Sequence, residues 1–302
     1  MIDGHNKPDL PETHYLDNRI FTDPVIFESE LDQIFGKVWQ FVCHESEIAA
    51  AGDFRCTSVA GKPIVIVRGN DGSIRSFYNV CRHRAAEVVR VPSGSAKFFQ
   101  CFYHHWTYAL DGSLQSVAKP AGYESAKLDK SQLGLVPVRT ETIAGLVFVC
   151  PDPTAISLTD YLGEIVEPLI QPLGTVPMET FQFHKAIVLT NWKLWQDNNS
   201  ERYHSMLHAI NRLTLPWVLG GASGMRLRLC RNGHSGYWSD SDATIAYERG
   251  RYSGLTSSAL PGMRENEMRV VNLFPDLMIN IRTNVVRIDR MIPLDPGRTL
   301  IE

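Results

Sequence analysis

Two short segments of mixed cysteine and histidine constrain this chain more than anything else in it. Cys81-Arg82-His83 is followed, after seventeen residues, by Cys101-Phe102-Tyr103-His104. Each loop offers one thiolate and one imidazole. A [2Fe–2S] cluster with two Cys on one iron and two His on the other needs this division. Its neutral imidazoles raise the reduction potential well above that of an all-thiolate cluster. A single zinc ion on two Cys and two His meets the same count, although zinc sites draw more often on unmixed Cys and His pairs.

The texture around these loops predicts a small all-β domain. From about Phe54 to Cys150 short β-prone runs alternate with turn signals: Lys62–Val67, then Asn70-Asp71-Gly72, then Ile74–Val80. Asp111-Gly112 between aromatic and β-branched residues predicts a tight hairpin. Leu146–Cys150 is a compact apolar strand closed by Pro151-Asp152-Pro153. Ahead of this domain, Asp23-Pro24 reads as a helix start, with Leu31, Ile34, Phe35 and Val38 following at helical spacing. Beyond it the pattern is mixed. Phe181–Leu189 reads as a strand, and Trp192, Trp195, Asn199, Tyr203, Met206 and Leu207 mark one face of a helix. Residues 234–267, rich in Ser, Gly and Asp, read as a long loop or lid. Val270–Phe274, Leu277–Arg282 and Val285–Ile288 read as successive strands. The fold class is therefore α+β.

That second helix carries another constellation. His204 and His208 stand at i and i+4, on one helical face and close enough to share a metal. Two His and one carboxylate on one face of an iron leave positions open for O₂ and substrate. A zinc protease is disfavoured, because Ser205 follows His204 where the base Glu would stand.

Composition excludes several classes. The 302 residues carry 30 basic and 33 acidic groups, a net charge of −3, without the basic excess of a nucleic-acid binder. The sequence has no apolar run of about 18 residues to span a bilayer, and its polar first residues hold no signal core, so a cytoplasmic location with no membrane partner is expected. Of the six cysteines, Cys43, Cys56, Cys150 and Cys230 read as free, partly buried thiols. No nucleotide-binding Gly-rich loop follows a strand, so NADH is expected to bind a partner.

The segments YNVCRHRAAE and QCFYHHWTYALDGSL resemble the cluster loops of Rieske non-haem iron oxygenases, the large alpha subunits of ring-hydroxylating dioxygenases. The stretch from Asn191-Trp192-Lys193 through Asp197-Asn198 and Glu201 to Tyr203-His204 is similar to that family's iron-ligand helix. The resemblance implies that Cys81 and Cys101 hold one cluster iron and His83 and His104 the other. It also implies that His204 and His208 bind a mononuclear Fe(II), with Glu201 as the carboxylate linking an iron-ligand His to the cluster His of a neighbouring subunit. Trp106 and Tyr108 follow in the family manner. His105 and Ala85 stand where Gly is common, and three residues separate the two iron His where four are usual. The implied division is an N-terminal helical segment at 1–37 on the catalytic domain, a Rieske domain at 38–151 and a mononuclear-iron domain at 152–302. The family's third iron ligand is an Asp far downstream. The chain stops within a strand at Glu302, so a fragment lacking that ligand is expected, and neither Asp276 nor Asp289 is nominated for the role.

The resemblance further implies a terminal oxygenase fed with electrons from NADH through a flavin reductase, a ferredoxin or both. It acts with O₂ on a small-molecule substrate and assembles as a head-to-tail homotrimer or an α3β3 complex. GDFRCTSVAGKPIVIVRG is similar to members acting on aromatic carboxylates. Arg226, Arg228, Arg282, Arg287 and Arg290 are the cations available for an anionic group. Glu201 instead resembles members that oxidise quaternary amines, for which Tyr237 and Trp238 could supply an aromatic cage. A non-catalytic Rieske carrier would need neither the second constellation nor the residues that follow the β domain.

Overall fold

The computed structural model describes residues 16–200, 223–240, 260–264, 267–281 and 285–302. The described residues open on a single turn, α1 (Arg19–Thr22), and on α2 (Pro24–Glu30), which runs into a π turn at Leu31–Phe35. Helix α2 starts where the sequence puts it. The Asp23 carboxylate accepts the Val25 N–H at 2.8 Å, and Pro24 takes the first helical position.

Ten strands follow: β1 (Gln40–His44), β2 (Asp53–Val59), β3 (Lys62–Arg68), β4 (Ile74–Tyr78), β5 (Ser93–Ser95), β6 (Phe99–Gln100), β7 (Thr107–Tyr108), β8 (Leu114–Ser116), β9 (Pro137–Ile143) and β10 (Leu146–Cys150). They make a seven-stranded sheet in the order β1-β10-β9-β4-β3-β2-β5 and a three-stranded sheet β6-β7-β8, antiparallel throughout. Ala60-Gly61 and Ala144-Gly145 close two-residue hairpins, with positive φ at both positions of each, the backbone that matches strand twist. Strand β3 is buried on both faces. Ile64 and Ile66 join Val42, Val147 and Val149 in one core. Val65 and Val67 join Phe54, Phe77, Cys81, Cys101 and Tyr108 in the other. The two predicted cluster cysteines are thus core residues of this domain.

After α3 (Leu158–Leu162) and α4 (Val166–Leu173) come β11 (Ala186–Val188) and α5 (Trp192–Ser200). The chain continues through β12 (Ser223–Leu229), β13 (Ser235–Asp240), β14 (Glu267–Leu273), β15 (Leu277–Ile281), β16 (Val286–Asp295) and β17 (Arg298–Ile301). The seven strands form a second antiparallel sheet in the order β11-β17-β16-β15-β14-β13-β12. One core joins the two large sheets: Phe41, Leu146 and Phe148 from the first, with Trp39 just ahead of β1, Tyr161 and Leu162 from α3, and Val271, Ile279 and Ile281 from the second. No helix among the described residues is long and apolar enough to cross a membrane.

The second half departs from its sequence reading in three places. The loop or lid expected over 234–267 begins as β13, paired on both sides between β12 and β14. The strand expected over Phe181–Leu189 pairs only at Ala186–Val188. The strand expected to stop at Ile288 runs to Asp295 and turns back into β17.

Buried polar groups also fasten the two sheets. Arg290 of β16, 2% exposed, donates to Thr57 Oγ1 at 2.6 Å and to the Ser58 carbonyl at 2.8 Å in β2. It lies 3.5 Å from Asp276 and 3.4 Å from Glu302. The Asp276 carboxylate also accepts the Phe41 N–H of β1. His234 links α3 to the second sheet. Its Nδ1 accepts the Phe274 N–H at 3.0 Å, so the ring proton sits on Nε2 and faces the Tyr161 carbonyl at 3.0 Å.

Candidate metal centre

The two Cys/His loops close on themselves in the same way. In the first, the Cys81 N–H donates to the Ala86 carbonyl and the Ala85 N–H to the Cys81 carbonyl, at 2.8 and 2.9 Å. In the second, the Cys101 N–H donates to the Trp106 carbonyl and the His105 N–H to the Cys101 carbonyl, both at 2.9 Å. These are identical offsets within two six-residue frames. The fifth residue of each frame is left-handed, Ala85 at φ 55° and His105 at φ 56°. These are the two positions where the sequence departs from Gly. A side chain there costs roughly 1–2 kcal/mol of local strain.

The frames bring four donors together as two pairs. The Cys81 and Cys101 thiols are buried neighbours. The His83 and His104 rings meet edge to face with centroids 4.5 Å apart. Both imidazoles keep a buried Nδ1 with no hydrogen-bond partner. An orphaned buried acceptor costs about 1–3 kcal/mol unless something occupies it. Two such nitrogens and two thiols, one of each from either loop, fit the donor set of a Rieske cluster. Among the described residues no group of three or more His, Cys, Asp or Glu side chains converges as a single-ion site.

Surrounding residues hold and tune the donors. Trp106 stacks on His83 at 5.0 Å and 11°, and Tyr123 closes against both rings at 6.5 and 6.1 Å. The Tyr108 hydroxyl accepts the Arg82 N–H at 3.0 Å, which leaves its own proton to donate to Cys81 Sγ at 3.3 Å. Burial, then the neighbouring His104 and Arg84, lowers the His83 pKa, so the ring stays neutral as a ligand must. Burial raises the Cys101 pKa, so a thiolate there calls for cationic compensation of the kind a metal supplies. Outside the donors, Phe102 and Tyr103 are exposed, and the Arg90 guanidinium lies over the Phe102 ring at 4.4 Å. Tyr123 carried no sequence signal, since it enters from a separate turn.

The second constellation is visible only at its base. Glu201, His204 and His208 lie outside the described residues, as does Arg282. Helix α5, which leads into them along the chain, buries Trp192 and touches β14 and β16. A cavity of about 940 Å³ lies between the two large sheets, lined by Phe41, Arg55 and Leu146 on one side and Ile288 and Ile301 on the other, with Trp195 of α5 in its wall. Asp276 and Asp289 are both engaged elsewhere, Asp276 in the Arg290 network and Asp289 in a two-point pair with Arg287 at 2.8 and 2.7 Å.

Residues 38–129 match the Rieske [2Fe–2S] domain model, and residues 176–302 match the catalytic domain of the ring hydroxylating alpha subunit. The chain is 41% identical to the 2-aminobenzenesulfonate 2,3-dioxygenase subunit alpha of Alcaligenes sp, over 98% of this chain and 75% of that protein. It is 36% identical to the methanesulfonate monooxygenase hydroxylase subunit alpha of Methylosulfonomonas methylovora, over 98% and 73%. Among solved structures, naphthalene 1,2-dioxygenase from Rhodococcus sp. bound to indole superposes with a TM-score of 0.81 at 26% identity, covering 93% of this chain and 70% of that one. A quaternary ammonium Rieske monooxygenase in complex with gamma-butyrobetaine gives 0.75 at 28% identity, covering 94% and 72%.

Proposed function

Since the chain belongs to the family of Rieske non-haem iron oxygenase alpha subunits, the terminal oxygenases, we propose a ligand set and a substrate class for it. Cys81 and Cys101 hold one iron of the [2Fe–2S] cluster and His83 and His104 the other. His204 and His208 hold a mononuclear Fe(II). When bound, the cluster supplies single electrons at moderate potential, and the mononuclear iron supplies O₂ activation. The observation that carries the reading is a pair of buried, unpartnered Nδ1 atoms in rings 4.5 Å apart, on the same two loops as a pair of buried, neighbouring thiols.

The protein's own groups have definable tasks. Tyr108 donates to a cluster-ligand sulfur and steadies the Arg82 backbone, while Trp106 and Tyr123 shield the His83 ring from water. Glu201 accepts an imidazole N–H from an iron-ligand His, fixing its tautomer, and links it to the His104 side of a neighbouring copy in a trimeric or α3β3 assembly. Electrons reach the protein from NADH through a reductase, a ferredoxin or both.

The substrate is an aromatic acid, carboxylate or sulfonate. The likeness in sequence to an aminobenzenesulfonate dioxygenase subunit over nearly the whole chain supports this class. A second reading, oxidation of a quaternary amine, is supported by Glu201 and by the likeness to the quaternary ammonium monooxygenase.

Replacing His204 by Ala tests the iron assignment: product formation is lost while the cluster chromophore stays. A His204→Ala protein that still turns over overturns it. A panel of aromatic sulfonates, aromatic carboxylates and betaines, scored for O₂ uptake coupled to product, decides the substrate class. Coupling with betaines alone would replace the first reading by the second.

A further inference from the structure

The sheet face that carries Val271 and Ile279 into the common core ends, towards the β12 edge, in charge. The register sets Arg226 of β12 opposite Trp238 of β13, and Trp238 opposite Arg269 of β14. An indole therefore stands between two arginines in one cross-strand row. Arg228, two residues along β12, shares that face about 7 Å from Arg226 and stands opposite Gly236. The missing side chain there has a purpose. A Cβ on Gly236 would come within 3.3 Å of Trp238 Cη2 and of Ile165 Cδ1, so glycine leaves room for the indole to lie along the strand as a floor. Arg264, Glu267 and Arg269 close the far wall of a cavity of about 510 Å³, a volume ordinary for a small-molecule site. It shares no lining residue with the cavity between the sheets.

The charges in this cavity are not balanced from within. Its one carboxylate, Glu267, is 7% exposed and committed: Arg269 Nε donates to it at 2.7 Å, and Arg264 Nε lies 3.5 Å away. Burial works against that carboxylate's charge, yet the two arginines hold its pKa below the ordinary value. Arg226 and Arg228 are exposed, and among the described residues no carboxylate lies within ion-pair distance of either. Glu164, which acts on Arg228 through space, is paired with Arg231 at 3.4 Å. Two uncommitted guanidiniums on one strand face present planar donor forks that match a carboxylate or a sulfonate. The indole beside them adds an apolar face for a flat ring. The same surroundings argue against an aromatic cage for a quaternary amine at Tyr237 and Trp238. Those two side chains alternate to opposite faces of β13, and the one on this face is flanked by cations.

We propose that Arg226, Arg228 and Trp238 form a binding site for an oxyanion carried on a flat ring, an aromatic carboxylate or sulfonate. The site stands on these side chains and not on the iron assignment.

The test uses the purified protein with its cluster in place, unaltered and as Arg226→Gln, Arg228→Gln, Trp238→Leu and His204→Ala. Calorimetric titration measures the affinity for benzenesulfonate, benzoate and the ringless methanesulfonate. An aryl azide bearing a sulfonate is photolysed on the protein to mark where it sits. Each arginine exchange is expected to weaken benzenesulfonate and benzoate about tenfold, the effect of one charge-assisted hydrogen bond. Methanesulfonate is expected to bind the unaltered protein about fivefold more weakly than benzenesulfonate, a difference that Trp238→Leu removes. The label is expected on β12, β13 or β14, in unaltered and His204→Ala protein alike. If Trp238→Leu does not fold, the comparison of the two sulfonates on the unaltered protein decides the ring contact. Equal affinity for the two sulfonates, unchanged affinity in both arginine variants, or a label elsewhere overturns the proposal. Binding lost in His204→Ala but kept in the arginine variants overturns it too, by placing the ligand at the iron, and leaves the substrate class standing.

Discussion

Replacing Asp276 by Asn probes how the two sheets are fastened. The carboxyl is buried, accepts the Phe41 N–H and lies 3.5 Å from Arg290. Burial outweighs that pairing and pushes its pKa up to about 7, against about 3.9 in an unfolded chain. A group whose folded pKa is raised contributes stability that is fully present below the unfolded pKa and is lost as pH rises through the folded value. A displacement of about 3 pH units at about 1.36 kcal/mol each amounts to a loss of about 4 kcal/mol between about pH 4 and about pH 7. The amide cannot ionise, keeps an acceptor for Phe41 and removes this dependence, leaving a constant offset from its missing charge. Urea unfolding of both proteins across that window, followed by tryptophan fluorescence, reads the effect. The stability difference should move in favour of Asp276→Asn by about 4 kcal/mol from the acidic to the neutral end. Parallel profiles would refute the claim that burial, rather than Arg290, governs this carboxyl.

The remaining expectations are smaller. Ala85→Gly and His105→Gly should each raise the stability of the cluster domain by up to about 1 kcal/mol in thermal melts, the relief of left-handed strain less the added chain entropy of Gly. Ala85→Val should lower it. Tyr108→Phe removes a donor to Cys81 Sγ worth about 1 kcal/mol, so the cluster potential should fall by on the order of 40 mV for one electron, read by redox titration. An unshifted potential would show that the hydroxyl does not donate to the sulfur. His234 has the opposite pH sign to Asp276. Burial lowers its pKa, so its contribution is present above the unfolded value of about 6.5 and is lost as pH falls. The acid limb of the stability curve should therefore flatten in His234→Gln.

The cluster loops were legible in the sequence because their chemistry is local. Donor types, spacing and flanking turn signals all lie in one short stretch from Cys81 to His104, and the structure pairs the two thiols and pairs the two imidazoles. The left-handed positions were legible too, as departures from Gly that the backbone turns out to demand. Strand β13 was not. Ser235-Gly236-Tyr237-Trp238-Ser239-Asp240 has a loop's composition, and only its place between β12 and β14 makes it a strand. The Tyr237-Trp238 pair was the available signal. The Arg290 network and the hydrogen bond from Trp192 to Glu30 were out of reach for another reason. Their partners are distant in sequence, Thr57 with Arg290 and Glu30 with Trp192, and no period or motif encodes such meetings. Of the cations available for an anionic substrate, Arg290 also holds β2, and Arg287 lines the cavity between the sheets.

The twin six-residue frames have one more consequence. Each finishes its own backbone bonds, so each loop is a preformed jaw that presents its Cys and His before the other arrives. The histidine stands third in one jaw and fourth in the other, so the jaws are not interchangeable. Exchanging the histidine with its neighbour in either frame would keep the offsets that close the turn but swing the imidazole away, giving a well-folded protein with an empty grip.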